Sequence, residues 1–185
     1  MARSAATRYS AGAMALHWLI AIAVIANWRI AEAAEHAANQ EARSAVMGNH
    51  FALGVLIFVA IILRFALRAG RGVPPPQSNH APWERALAKA VHYLFYLLLM
   101  VMPLAGWFAM SKYGAPINIW GMVEIPPLPI APDPDGAKAI FEQHATAGTV
   151  LLGLIVVHVL GTLKHTLIDK DGNLFRMLPF GAPRA

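Results

Sequence analysis

Eight histidines are spread along 185 residues, and six of them fall in or at the ends of apolar runs. These six are His17, His50, His92, His144, His158 and His165. An imidazole is costly in lipid, and ionisable groups within membrane spans face the bundle interior and mark function. One such residue could serve as a hydrogen bond between helices. Six in four runs call for chemistry, and a neutral imidazole is above all a metal ligand and a proton carrier. The remaining two, His36 and His80, lie in connections and read as ordinary surface residues.

Spacing narrows the chemistry. In "EQHATAGTVLLGLIVVHVLGTLKH", residues 142–165, His144 and His158 are 14 residues apart. At about 100° and 1.5 Å per residue, that step returns to within about 40° of one helix face, about 21 Å along the axis. His165 follows two turns later on roughly the same side. One helix thus presents two imidazoles at opposite depths of a bilayer, as two stacked redox centres require. Depth supplies the partners. His50 opens the second run at the level of His144, and His17 lies inside the first run near the level of His158. Two bis-histidine iron sites follow, His50 with His144 and His17 with His158, of the kind that bundle cores hold between facing helices. His92 lies at a similar inner depth and could replace His17 or His158. The chain has no cysteine, which excludes disulfides, thiolate-held iron–sulfur clusters, Cys zinc sites and covalent c-type haem.

The elements that must carry these residues are legible in hydropathy. The composition is 57% hydrophobic and 14% charged, with a mean hydropathy of +0.50, too apolar for a typical soluble domain. Four runs, about residues 11–33, 46–67, 90–110 and 145–167, each approach the roughly 20 residues that cross a hydrocarbon core. The expected fold is therefore all-α, an integral membrane four-helix bundle in a single domain, 1–185. The first run has the flanks of a signal peptide, but it is long for one, and His17-Trp18 is an odd choice for a disposable segment. Pro103 in the third run is expected to kink it.

Charge gives the orientation. The N-terminus, the loop at about 64–89 and the C-terminal tail hold eleven Lys and Arg against three acids; the other two connections hold four against seven. The positive-inside rule then places both termini in the cytoplasm. The pI near 9.9 is a topology signal rather than a sign of nucleic-acid binding. The outer loop "KYGAPINIWGMVEIPPLPIAPDPDGAK" is expected to be irregular or partly ordered cover, and "VPPPQ" at 73–77 a stiff spacer. Trp28, Trp107 and Trp120 fall near the outer interface and read as belt residues. "DKDGN" at 169–173 fails as a calcium loop, since its Gly stands fourth rather than sixth. It belongs to a short basic tail at the inner surface.

A weak repeat pairs the two halves. "LHWLIA" resembles "VHYLFY", and His50-x-x-x-Gly54 matches His144-x-x-x-Gly148. Gly one turn from a ligand leaves room for a flat macrocycle. In this register Arg64 takes the place of His158, which suggests a partner for a haem propionate.

Together, "ALHWLI", "NHFALGVLIFVAIILRFALR", "VHYLFYLLLMVMPLAGW", "HATAGTVLLGLIVVHVLGTLKH" and "DKDGNLFRMLP" resemble the prokaryotic cytochrome b561 family over nearly the whole chain. That resemblance implies a bacterial inner-membrane protein with two haem b groups on His17, His50, His144 and His158. It also implies electron exchange with ubiquinone, some members oxidising superoxide at the periplasmic face. His92 and His165 match two further family histidines and are placed at a cytoplasmic quinone site. The expected activity is superoxide:quinone oxidoreduction. Its electrons would come from superoxide or another periplasmic one-electron donor. The competing readings are a non-enzymatic electron-transfer subunit for a separate periplasmic or membrane dehydrogenase, and a transporter that uses histidines as a proton path. The acidic outer connections do not suit an anionic substrate, which a positive approach steers best.

Overall fold

A computed structural model describes residues 8–72, 74–75 and 80–181. The proposed stiff spacer at 73–77 lies largely outside the described residues. Four long helices dominate: α1 Ala11–Glu35, α2 Gln40–Arg71, α3 Pro82–Lys112 and α4 Pro134–Leu163. Each is long and apolar enough to cross a membrane. Three of them start well before their apolar runs, because polar capping groups rather than hydropathy set where a helix begins. Asn39 accepts the Ala42 N–H, and Asp133 accepts the Gly136 N–H ahead of Pro134. The Glu84 carboxylate accepts the Ala81 N–H just before Pro82. Pro103 lies inside α3, which runs on through it.

The helices pack as two hairpins, α1 on α2 and α3 on α4, joined mainly through α2 and α3. The buried core is a narrow waist at mid-height. Ile20, Ala23 and Val24 meet Ile57, Ala60, Ile61, Leu99 and Leu151 there. Leu151 stands seven residues from both His144 and His158, so the waist separates two histidine levels. Most other large apolar side chains, such as Ile22, Leu56, Leu97 and Val156, point outward. Such a surface suits lipid and not water. Thr146, Thr149 and Thr162 return their hydroxyls to the carbonyl one turn back, which removes a lone donor from the apolar phase.

The outer loop is more ordered than irregular cover. Strands β1 Ile117–Ile119 and β2 Val123–Ile125 form a hairpin in register Ile119 to Val123. Trp120 and Gly121 both take positive φ at its turn, 56° and 70°. A tryptophan rarely adopts that backbone. Its indole N–H is held by Asn49 Oδ1 at 2.9 Å, and its ring lies over Gly48, where a Cβ would come within 3.3 Å.

At the opposite end α4 runs into a π-turn, Lys164–Ile168, followed by a short 3-10 turn, Asn173–Met177. The N-terminus, the α2–α3 loop and the tail join here. The Arg8 Nε donates to the Phe175 carbonyl, the Trp18 indole to Met177 and Arg176 to Pro75. The three basic segments therefore share one end of the bundle.

Candidate functional site

Two histidine pairs face each other at two depths. His50 on α2 and His144 on α4 have ring centroids 6.1 Å apart at the outer level. His17 on α1 and His158 on α4 repeat the 6.1 Å spacing at the inner level. An imidazole bound to a metal at about 2 Å has its ring centre about 3 Å from the ion, so two on opposite sides stand about 6 Å apart. Both pairs fit a shared metal between them. Neither α1 with α4 nor α2 with α4 packs closely along its length, which leaves the facing pairs apart from one another.

The ring chemistry also suits ligation. His50 Nδ1 lies 3.3 Å from the Asn27 carbonyl. A carbonyl only accepts, so Nδ1 carries the proton and Nε2 keeps its lone pair for a metal. His144 Nδ1 is buried beside the Met102 carbonyl, short of a well-formed hydrogen bond. The outer pair lines a cleft of about 1500 Å³, and Gly54, Gly106 and Gly148 line it too. A macrocycle needs such a volume and such bare walls.

The inner level is more crowded. His92 lies 5.6 Å from His158, centroid to centroid, and Phe95 5.7 Å from it. His92 Nδ1 is committed to the Ala88 carbonyl at 2.6 Å. Arg64 reaches this level from α2, donates to the Ala13 carbonyl at 2.6 Å and lies within electrostatic range of His17, His92 and His158. An anionic group at this level would meet its guanidinium.

His165 belongs to a different group of side chains from His92. Its ring stacks on His80 at 4.1 Å and 30°, with Nδ1 2.8 Å from Asp171 Oδ2 and 2.9 Å from Asp169 Oδ2. His80 Nε2 donates to the same Asp171 oxygen at 2.9 Å. His80 is therefore not an ordinary surface residue, because its side chain is only 14% exposed. Burial pushes the Asp171 carboxyl up, but the Asn173 N–H and the His80 and His165 imidazoles outweigh it and hold the carboxyl below its ordinary range. His36 does lie on the surface, bonded to its own helix at the Glu32 carbonyl. Sequence reasoning missed His80 and Asp171, whose only local signal was the turn-rich "DKDGN" that carries Asp171.

Four apolar helices with facing histidines at two depths define a membrane bundle built to hold groups between its helices. The model of the family described as prokaryotic cytochrome b561 matches residues 8–180, and the chain belongs to that family. It is a multi-pass inner-membrane protein of haem b electron transfer. It is similar to cytochrome b561 homolog 2 of Escherichia coli (strain K12), 30% identical over 179 residues, covering 92% of this chain and 91% of the relative. It is 27% identical to a probable superoxide oxidase CybB of Yersinia pestis over 174 residues, covering 93% and 96%. Cytochrome b562 of Cereibacter sphaeroides is likewise 27% identical, over 168 residues, covering 88% and 90%.

Proposed function

We propose that His50 with His144, and His17 with His158, each hold one haem b, and that the protein carries electrons from a periplasmic one-electron donor to ubiquinone. The matched 6.1 Å spacing of the two pairs carries this reading. When bound, haem supplies reversible one-electron chemistry at each level. The chain's own residues do the rest. The Asn27 carbonyl fixes the His50 tautomer, and Arg64 offers its charge to a propionate at the inner level. His92 and His165 stand toward the cytoplasmic end, where a quinone headgroup takes up protons. Asp169 and Asp171 beside His165 are suited to pass them on.

The similarity to a probable superoxide oxidase supports superoxide as the donor. Two superoxide anions would then leave as O2, while one quinone takes two electrons and two protons. One observation favours the second reading, an electron-transfer cytochrome serving a separate dehydrogenase. Glu32 and Glu35 line the outer cleft with Arg43, and Arg29 is paired to Glu32 at 2.5 Å. A mouth of mixed sign suits a docking redox protein at least as well as a small anion.

The test is a reduced-minus-oxidised spectrum with haem quantified per chain, followed by quinone reduction with superoxide. Two haems in the wild type and one in each of His144→Ala and His158→Ala are expected. A colourless wild type sinks the haem reading and favours the transporter. Haem-loaded protein that reduces quinone no faster than a haem-free control selects the electron-transfer subunit.

A further inference from the structure

The electron path gives His80 no role, and the proton role proposed for Asp171 does not explain why that carboxylate pairs with His80. Both are drawn into one cluster with His165 from segments far apart in sequence: the α2–α3 loop, the end of α4 and the tail. Their ligand atoms all lie within 4.8 Å of one another. The side chains are 14%, 13% and 2% exposed, for His80, His165 and Asp171. Two imidazoles and a carboxylate are a donor set that favours a borderline transition-metal ion over magnesium or calcium.

The backbone presents these donors rather than merely tolerating them. The Asp171 N–H bonds back to the His165 carbonyl at 3.2 Å, which folds the tail onto the helix end. Lys170 and Gly172 take positive φ, 52° and 75°, to make that reversal. The Asn173 N–H occupies Asp171 Oδ1 at 2.8 Å, so Oδ2 is the oxygen turned toward the two rings. The π-turn at Lys164–Ile168 resets the helical register where His165 and Asp169 must both reach inward. Such turns recur at functional sites. His165 Nδ1 is buried, crowded by two carboxylate oxygens at 2.8 and 2.9 Å, yet makes no hydrogen bond of acceptable geometry to either.

Beside the cluster, Lys164 Nζ lies 2.6 Å from both Glu84 and Asp169. The Arg85 guanidinium is turned away to the His80 carbonyl at 2.5 Å. Ligands at about 2.0–2.1 Å in a tetrahedron stand about 3.3 Å apart, so the present 2.8–2.9 Å separations need to open by only about half an ångström.

We propose that His80, His165 and Asp171 form a three-ligand binding site for one divalent ion of the zinc class. The ion clips the α2–α3 loop and the tail to the end of α4. Binding requires neither quinone nor a donor, so it is measured independently of electron transfer, although His165 and Asp171 are also placed in the proposed proton path.

The experiment is equilibrium dialysis of the purified, haem-loaded protein against micromolar zinc chloride, with metal analysis of the retained ion. Haem loading keeps the proposed iron ligands out of reach of zinc. Expected is a single zinc per chain, retained against millimolar magnesium, with affinity falling roughly tenfold or more in both His80→Gln and Asp171→Asn. Zinc should raise the thermal midpoint of the wild type and leave that of His80→Gln unmoved, while the haem spectrum of His80→Gln matches the wild type. His80→Gln keeps the fold testable if Asp171→Asn proves unstable. A wild type that retains no zinc, or variants that retain as much as the wild type, overturns the site and leaves a hydrogen-bonded clasp between loop, helix and tail.

Discussion

His50 and His144 can face each other across an open cleft because the residues one turn from each are glycines. A Cβ at Gly148 would point into the cleft, 3.9 Å from the Met102 methyl, whereas one at Gly153 would meet nothing within 4 Å. Gly148→Leu should therefore fill the outer cleft, and haem per chain should fall toward about half, since an added side chain in a fitted site costs more than it gains. Gly153→Leu lies on the outward face and should retain full haem. Equal, complete loading of both variants would show that the outer cleft does not hold the group. The two histidine pairs were legible in the sequence because helical arithmetic within a span fixes both face and depth. His80 was not, because its partner lies 91 residues away and is placed by a tail reversal at Lys170 and Gly172. No periodicity encodes such a contact. Arg64 was readable only to the level it occupies, since its bond to the Ala13 carbonyl depends on how α1 and α2 pack.

The ends of the helices obey different physics from their middles. Hydropathy located the four spans, but α3 and α4 start at Pro82 and Pro134, in polar sequence where capping decides. The start signals were present in "APWE" and "PDPDG", and an apolar run cannot report them. Asp133 shows how much one cap joins. Its carboxylate accepts from Lys112 Nζ at 2.6 Å and the Gly136 N–H at 2.9 Å, while its own N–H donates to the Lys112 carbonyl at 2.8 Å. The outer ends of α3 and α4 are thereby tied through one residue. The Lys112 and Gly136 bonds hold the Asp133 carboxyl below its ordinary value of 3.8. A depressed pKa stabilises the fold above the unfolded value, and that stabilisation is lost as pH falls through the folded one. Asp133→Asn should thus lower the thermal midpoint by a few degrees near neutral pH, with the gap closing below the ordinary aspartate range. A gap that persists unchanged in acid would assign the effect to side-chain shape instead. The hairpin at 117–125 lay beyond sequence reading for a related reason. Its turn places Trp120 at positive φ, and only the Asn49 bond and the Gly48 surface of α2 make that conformation tenable.

At the scale of the whole molecule, two ends of opposite character are separated by a thin waist. The inner end gathers the N-terminus, the α2–α3 loop and the tail, with eleven of the fifteen Lys and Arg on that side of the sequence. The outer end carries the open cleft, the hairpin and most of the acids. Translocation retains basic segments, so the gathered end should face the cytoplasm, and the outer cleft would then open to the periplasm, where a one-electron donor would arrive. An even number of spans keeps both termini together whichever way the bundle is inserted, so the sense of insertion needs its own measurement. The chain contains no cysteine, which makes single introduced thiols clean reporters. Val123→Cys on the hairpin and Phe180→Cys on the tail both replace exposed side chains, 55% and 65% accessible. A membrane-impermeant maleimide added to intact spheroplasts should label Val123→Cys fully and Phe180→Cys only after lysis. The reverse pattern would invert the bundle and move the donor side to the cytoplasm. Labelling of both thiols before lysis would mean mixed insertion, which a difference of eleven against four positive residues should not permit.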